Sequence, residues 1–556
     1  MAPGQTPQPT PTATSRPAPT NTPTPTQAAK VPVSSRLKVS VPVPDYQHLG
    51  LWNHSSSSGG FLVPIYEHLV TVNKTTGANE PWAAESWNLT PDGKNWTFKL
   101  RQGIKFHSTP TYTGTELTAK DFVQTVKMLA DKDKALFPAI WGGFGAADKN
   151  FEIKSDYEFT WKLDKVEAQL AEWVNRNQIA GIQSKDYFDK VGFDGYLKHP
   201  IGSGAFQFVE YKQGVSILHK RVPNHWRKTA DFPELEVIFV PENSTRLAML
   251  LTGESHISDV PRTLLPDATS RGYGVATGTL PGFTYVIFID GQYYDGPRTI
   301  LAGPKTGQTE PLAPGYDAND PLRKVGVRKA LNIAIDRSLI IKTFWGSSAV
   351  PQAMFSLIPT HPDHRKEWAV YPYDLAGAKK ALADAGYPNG IDLDFWVAAL
   401  SGIPEAPEIG EAVAQMWKEA GIRTKITQTE FGTIRDKYRA RNAARFVYAA
   451  RYSISAFQNN TCFPMSNVAA GCGSPQWEYD ELDKIFLNLK NSVLPADITK
   501  YTHEFGNFMY NNYLFVPGAY IYPQVAYDPK VVAEYQPDLS NAGPLKDHEY
   551  TKAVFK

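Results

Sequence analysis

The chain predicts an α/β protein of more than one domain, on three observations. Its 556 residues are enough for two or three separate cores. Strand–helix–strand units recur, around Leu235 to Val260 and again from 374 to 428, and units of that kind build an α/β lobe. No repeat of fixed period interrupts them, which argues against a solenoid. Charge narrows the function classes further. With 57 Lys and Arg against 56 Asp and Glu, no basic excess points to nucleic acid and no acidic excess to a solvating tail. Aromatic residues reach 12%, which suits either a large core or a cavity lined with rings.

Residues 1–30 are a different material. Pro7, Pro9, Pro11, Pro17, Pro19, Pro23 and Pro25 alternate with Thr and Ala, and almost nothing there is large enough to pack. Such a segment cannot bury enough surface to offset its ordering entropy, so a disordered, extended linker is expected. At about 3.1 Å per residue it would reach roughly 90 Å. No apolar h-region follows Met1-Ala2, and no transmembrane run occurs anywhere. A spacer of this kind ahead of a globular body suits a surface protein tethered by its amino end, after a removed signal or a lipid-bearing Cys.

The elements follow in order. Leu37 to Val43 reads as a first strand. Pro91-Asp92-Gly93 is a turn, and Trp96, Phe98 and Leu100 alternate after it, so Glu80 to Phe106 contains a hairpin. Thr118 caps a helix whose apolar stripe is Phe122, Val123, Val126 and Leu129. In HPIGSGAFQFVEYKQGVSILHKRVPNHW, Gly202 and Gly204 flank Ser203 in a flexible loop. Phe206, Phe208, Val209 and Tyr211, then Val215, Ile217 and Leu218, make two strands around a turn at Lys212–Gly214. Leu235 to Val240 is a strand. Ser244 opens a helix that ends at Gly253, and Ile257 to Val260 is again strand. Val325 to Trp345 is predicted as one helical stretch. Asp374 caps a helix ending at Gly386, and a strand follows in IDLDFWV. Ile409, Val413, Met416 and Trp417 stripe another helix, closed by Gly421 and followed by a strand from Arg423 to Gln428.

Catalytic patterns are missing from the sequence. There is no Gly-x-Ser-x-Gly elbow and no phosphate loop ending in Gly-Lys-Ser/Thr. Gly272, Gly274 and Gly278 have the wrong spacing for a dinucleotide fingerprint. The twelve histidines form no His-Glu-x-x-His pair, and His107 reads as structural. Neither an enzyme nor a cofactor is expected. Cys462 and Cys472 lie close together in NNTCFPMSNVAAGCGSP, where an even count and loop-forming neighbours favour one disulfide in an oxidising compartment.

The signature stretch His199–Trp226 closely resembles that of the large solute-binding proteins of ATP-driven importers, the peptide/opine/nickel family. Further matches keep the family's order. They are Pro81, Ala84, Glu85, Ser86 and Trp87 with Lys105, Phe106 and His107; then Arg246, Leu247, Gly253, Glu254, Asp259, Val260 and Pro261; then VRKALNIAIDRSLIIKTFWG. The resemblance covers residues 37–556. It implies a two-lobed periplasmic-binding-protein fold of the Venus-flytrap type with an inserted subdomain. Lobe I would take 31–65, 200–285 and 520–556, the insert 66–199, and lobe II 286–519. It also implies an extracytoplasmic monomer, lipid-anchored or periplasmic, that closes on a small solute and docks on a permease and its ATPase.

Candidate ligand residues come from the same resemblance. In peptide-binding members an Asp after an aromatic residue pairs with the peptide's α-ammonium group. That position reads Tyr448, Ala449, Ala450, Arg451 here, a cation in place of the anion. Arg451 would repel a peptide amino end and suit a carboxylate or phosphate; alternatively it pairs with a neighbouring acid. Arg445 occupies a position that can meet the ligand's carboxylate end. Tyr452 and Phe457 are candidates for stacking, as are Trp52 with Asn53 and His54, and Trp141 in a Gly-rich loop. For each aromatic a place in the core is an equal alternative, and Trp82, Trp87 and Trp96 read as packing residues. The expected solute is anionic or non-peptide. Alternatives are a short peptide, an oligosaccharide, a nickel chelate, or a receptor role without transport.

Overall fold

The computed structural model describes residues 36–554, apart from 45–46, 55–58, 176–178, 303–304, 355–356, 401, 455–463, 470–475 and 538–543. Three sheets organise it. A seven-stranded sheet runs in the spatial order Gly274–Thr277, Gln524–Tyr527, Ile257–Ser258, Arg36–Val41, Glu234–Phe239, Ser216–Arg221, Phe206–Lys212. A six-stranded sheet runs Ala349–Pro351, Phe515–Ile521, Phe283–Ile289, Phe446–Ser453, Ile391–Val397, Ile422–Gln428. Each mixes parallel and antiparallel pairs, and the parallel ones need crossover connections. The third sheet is four-stranded and antiparallel, in the order Ala84–Leu89, Asn95–Leu100, Glu158–Lys162, Phe151–Ser155. It forms from chain that leaves the first sheet after Val41 and returns to it at Phe206.

The two large sheets exchange chain twice. The first crossing joins Thr277 to Phe283 and the second joins Ile521 to Gln524. The crossings lie side by side: Phe283 pairs with Ile521, Gly278 donates to the Pro523 carbonyl at 2.8 Å, and Gly282 to the Ile521 carbonyl at 2.9 Å. The fold is therefore two α/β lobes joined by a pair of adjacent strands.

Sequence signals explain most elements. At the Ala119–Leu129 helix, Thr118 and Asp121 form a capping box, with the Thr118 N–H donating to Asp121 Oδ2 at 2.8 Å. Asp374 accepts the Gly377 N–H at 2.8 Å and starts the Leu375–Asp384 helix. The stretch expected as one helix from Val325 to Trp345 is two, Val325–Ile333 and Arg337–Phe344. Asp336 caps the second by accepting the Leu339 N–H at 2.9 Å. Arg337, buried beside this break, donates to the carbonyls of Pro517 at 2.6 Å and Asn332 at 2.9 Å. An apolar period cannot announce such a break, because both halves bury the same stripe.

The signature loop ties the inserted segment to the first lobe. A Cβ on Gly202 would sit 2.1 Å from the Ile65 carbonyl oxygen, and one on Gly204 2.4 Å from that of Pro64. Only glycine lets the two backbones meet there. His107, from the inserted segment, donates through Nε2 to the Gly204 carbonyl at 2.9 Å. Burial holds its imidazole neutral, with a pKa lowered to about 4.

Candidate functional site

The site begins with the Phe446–Ser453 strand, which lies antiparallel to Phe283–Ile289. Alternation sends Tyr448 and Tyr452 to one face and Arg451 to the other. Phe288 joins the first face, with ring centroids 5.5 Å from Tyr448 and 5.3 Å from Tyr452. Tyr438 and Phe446 stack on Tyr448 at 5.2 and 5.7 Å. Tyr448 is wholly enclosed, and its hydroxyl accepts from Gln476 Nε2 at 2.7 Å. Tyr452 is only half-buried. Desolvation pushes both phenol pKa values up, so both hydroxyls remain protonated donors.

Arg451 emerges beside the crossings. It pairs in register with Tyr285, and its guanidinium lies 5.5 Å from the Phe283 ring centroid. Arg262, from the first lobe, approaches the same ring at 5.7 Å. Arg262 also spans the lobes: it donates to the Gly402 carbonyl at 2.8 Å, to Glu405 Oε1 at 3.1 Å and to the Tyr522 carbonyl at 3.1 Å. Trp345 Nε1 donates to the same Glu405 oxygen at 2.7 Å. Arg262 and Glu405 are both buried. Asp259 completes the group: desolvation raises its pKa, opposed by Arg246, Arg262 and Arg451. Arg451 therefore has an acid in its field.

Away from the crossings the arrangement differs. The Phe431–Arg439 helix presents Arg435 over Phe431 at 5.4 Å and Arg439 over Phe137 at 5.7 Å. Phe137 belongs to the inserted segment, so Arg439 reaches from one body to another. The Tyr452 hydroxyl feels both arginines. Further out, the Pro91-Asp92-Gly93 turn meets Val493: a Cβ on Gly93 would lie 2.5 Å from Val493 Cγ2 and 2.8 Å from Val166 Cγ1. Lys490 and Glu167 interact electrostatically at this edge. The second lobe thus touches the rest of the molecule at the crossings, at Phe137 and at this turn.

The other sequence-predicted residues are scattered. Arg445 starts the Tyr448 strand, exposed, with φ of 53° and its N–H donating to Asp320 Oδ2 at 2.6 Å. A strand rise of about 3.3 Å per residue puts it about 20 Å from Arg451. Trp52 is buried, edge-on to Phe193 at 5.0 Å and Tyr196 at 6.2 Å, while half-buried Asn53 donates its N–H to the Gly50 carbonyl at 3.0 Å. His54 is buried and hydrogen-bonded to the His48 carbonyl at 2.8 Å, with its pKa lowered to about 3 by desolvation. Trp141 is enclosed by Phe144 and Trp173 at 6.0 and 6.5 Å. Two of these residues support Phe137: the Trp52 carbonyl accepts the Leu136 N–H at 3.2 Å, and Trp141 anchors the short Pro138–Phe144 helix that Phe137 begins. Phe457, Cys462 and Cys472 lie outside the described residues, so neither stacking nor a disulfide is placed. Sequence reading missed Phe137, Arg262, Glu405, Arg435 and Arg439. Arg262 directly follows the Asp259-Val260-Pro261 pattern, and Arg435 and Arg439 share a helix face at the i, i+4 spacing.

Among the described residues no group of three or more His, Cys, Asp or Glu could hold a metal ion. Among them, no helix is long and apolar enough to cross a membrane.

Two lobes, paired crossings and an aromatic, cationic wall between them define a two-lobed solute-binding protein. Comparison with known proteins makes the class specific. Residues 79–466 match the model of "Bacterial extracellular solute-binding proteins, family 5 Middle", and the chain belongs to that family, whose members are binding receptors and not enzymes. Heme-binding protein A of Haemophilus influenzae is 28% identical over 388 residues, 67% of this chain and 66% of that protein. The dipeptide-binding protein of Escherichia coli is 26% identical over 389 residues, 66% of this chain and 67% of that one. These matches span about two thirds of each relative's length. The periplasmic binding protein DppA of Helicobacter pylori, solved with the peptide STSA, superposes with a TM-score of 0.74 at 22% identity, covering 93% of this chain and 97% of its own. NikZ of Campylobacter jejuni, solved with Ni(L-His), gives 0.73 at 16% identity, covering 93% and 99%.

Proposed function

We propose that this protein is the solute-capturing subunit of an ATP-driven importer, closing its lobes about the paired crossings on an anionic, non-peptide organic solute. The observation that carries the ligand class is Arg451. The family resemblance assigns its position to an acidic anchor in peptide-binding members, and here it is half-buried and faces Phe283 next to a second guanidinium, Arg262. A peptide's ammonium group would meet like charge there. Two solved neighbours hold acids of this kind: AgaA with agropinic acid, at TM-score 0.72 and 19% identity, and MoaA with mannopinic acid, at 0.72 and 18%. Ligand touching both lobes shifts the population to the closed form, which then docks on a permease. The protein works outside the membrane, held by its amino-end spacer or free in the periplasm. A short peptide is the second reading, favoured by relatives that bear a dipeptide-binding name.

A thermal-shift screen of stripped protein tests this, with di- to pentapeptides, opine-like acids and oligosaccharides at two salt concentrations. Binding to the folded form raises the midpoint. The expected result is a rise with organic acids that shrinks at high salt. Arg451→Ala is expected to weaken that binding at least tenfold, about 1.4 kcal/mol. A rise with peptides alone would sink the anionic reading.

A further inference from the structure

We infer that Arg439, held across the interface on Phe137, is a specificity-determining residue that grips an oxyanion of the bound solute, its carboxylate or phosphate. This rests on the solute-binding reading above and adds a residue and a chemical group to it.

Four observations lead there. Arg439 is half-buried, and its Nε is enclosed with no hydrogen-bond acceptor among the described residues. Burial of an N–H without a partner is unfavourable, and an incoming oxyanion removes that penalty. Arg262 Nε is likewise enclosed without an acceptor, but the Arg262 charge is paired with Glu405, and the other fully buried arginines make their own hydrogen bonds. Arg246 donates to carbonyls of Asp259, Val240 and Pro241, Arg328 to those of Leu322, Arg323 and Asn512, and Arg441 to Glu478 and Glu310. No ion pair is made by Arg439 among the described residues. Its charge is therefore open to a negative solute without displacement of an ion-pair partner among the described residues.

The second observation is the ring beneath it. The Phe137 ring centroid lies 5.7 Å from the guanidinium carbon, a cation–π contact that uses none of the guanidinium N–H donors. Third, the contact joins two bodies: Arg439 ends a helix of the second lobe, and Phe137 belongs to the inserted segment. Separation of the lobes breaks the stack, so a ligand that fixes Arg439 also favours closure. Fourth, Tyr452 lies in the field of Arg439 with its hydroxyl protonated, a donor and flat ring on the same wall.

The geometry also separates Arg439 from Arg451. Arg451 shares its surroundings with Asp259 and Arg262 at the crossings, so part of its charge is already balanced. Arg439 is not among the charges named as acting on Asp259 and has its ring contact on the inserted segment instead.

Matched pairs test the inference by calorimetry on the full chain. Carboxylic acids are set against their primary amides, and phosphate monoesters against the parent alcohols. The wild-type protein is expected to bind an anion at least tenfold more tightly than its neutral partner, with the better pair telling carboxylate from phosphate. Arg439→Gln should reduce that ratio below threefold without weakening the neutral partner. Arg439→Lys, which keeps charge but loses the fork, should fall between, and it stands in if the Gln variant does not fold. Phe137→Ala should weaken the anion and leave its preference over the neutral partner in place. An unchanged ratio in Arg439→Gln overturns the inference. If neutral partners bind as tightly as anions in the wild type, solute binding stands and the clamp falls. If nothing in the set binds, and the peptides and saccharides of the thermal-shift screen do not bind either, both readings fail.

Discussion

Two arginine sites face the same interface and are built in opposite ways. At the crossings, Arg262 is buried against Glu405, two carbonyls and an aromatic ring, and Asp259 stands near it. Away from the crossings, Arg439 rests on Phe137 with no ion pair among the described residues; each arginine has a buried Nε without an acceptor, so the acid beside Arg262 is what separates the two. The first site spends its charge on joining lobes. The second keeps charge available. Guanidinium groups near a ligand cleft are thus not interchangeable evidence of a ligand's sign; what separates them is the acid beside them. Arg451 falls between the two, since it shares the Phe283 ring with Arg262 and the field of Asp259.

Removing the structural site should have the largest effect. Arg262→Ala strands Glu405 in a buried position, and loss of one partner from such a pair costs about 3–5 kcal/mol. Urea unfolding would show the loss, and adding Glu405→Gln should recover part of it. An Arg262→Ala protein of full stability would mean the lobes do not depend on this bridge.

Gly402→Ala comes next. Gly402 has φ of +76°, and a Cβ there would lie 3.0 Å from Phe283 Cζ and 3.3 Å from an Arg451 terminal nitrogen. A loss of about 1–3 kcal/mol is expected from strain and crowding. Ligand affinity should fall with it if Arg451 contacts solute, and stay level if it does not.

The pH dependence of stability gives a third, smaller effect. Asp290 is buried, and desolvation lifts its pKa to about 8. Its Oδ1 accepts from the Gly291 N–H at 2.7 Å and the Tyr293 hydroxyl at 3.0 Å, while Oδ2 has no partner among the described residues. The folded protein therefore binds this proton more tightly than the unfolded chain does. Stability from it is full below pH 4 and is lost as pH rises towards 8, at no more than about 1.4 kcal/mol per pH unit. Buried His54, His107, His219 and His548 act oppositely: desolvation lowers their pKa values to about 3 or 4, so stability falls as pH drops below 6.5. Asp290→Asn should flatten the decline between pH 6.5 and 8, steepen the histidine-driven rise between pH 4 and 6.5, and leave the slope below pH 4 unchanged. A decline that persists in the variant would assign it to another group.

Trp345→Phe is the mildest test. It removes one hydrogen bond to Glu405 while keeping most of the ring, and Arg262 still donates to the same oxygen, so urea unfolding should show a cost of about 0.5–1.5 kcal/mol.

The contrast between sites also marks what the sequence can show. Capping residues such as Thr118 and Asp374, and the two strands around Lys212–Gly214, act over a few positions and are legible as they stand. The strands that follow are Phe206–Lys212 and Ser216–Arg221. The break at Asp336 was not legible, since a cap inside a continuous apolar stripe looks like one helix. Sites are harder still. The rings of Trp52 and Trp141 advertise themselves, yet both are buried and act on the site by holding Phe137. Phe137 and Arg439 are about 300 positions apart in sequence, and neither sits in a recognisable motif. Only folding sets one on the other, and only the folded structure shows which arginines have an acid beside them. Long-range pairing of this kind leaves no local pattern.

The central claim is that solute closes the two lobes about the paired crossings. Small-angle scattering tests it most directly, on stripped protein and again with the compound that most raises its thermal midpoint. The account predicts a smaller radius of gyration and a shorter maximum dimension on binding. Saturating ligand with no change in either would contradict it.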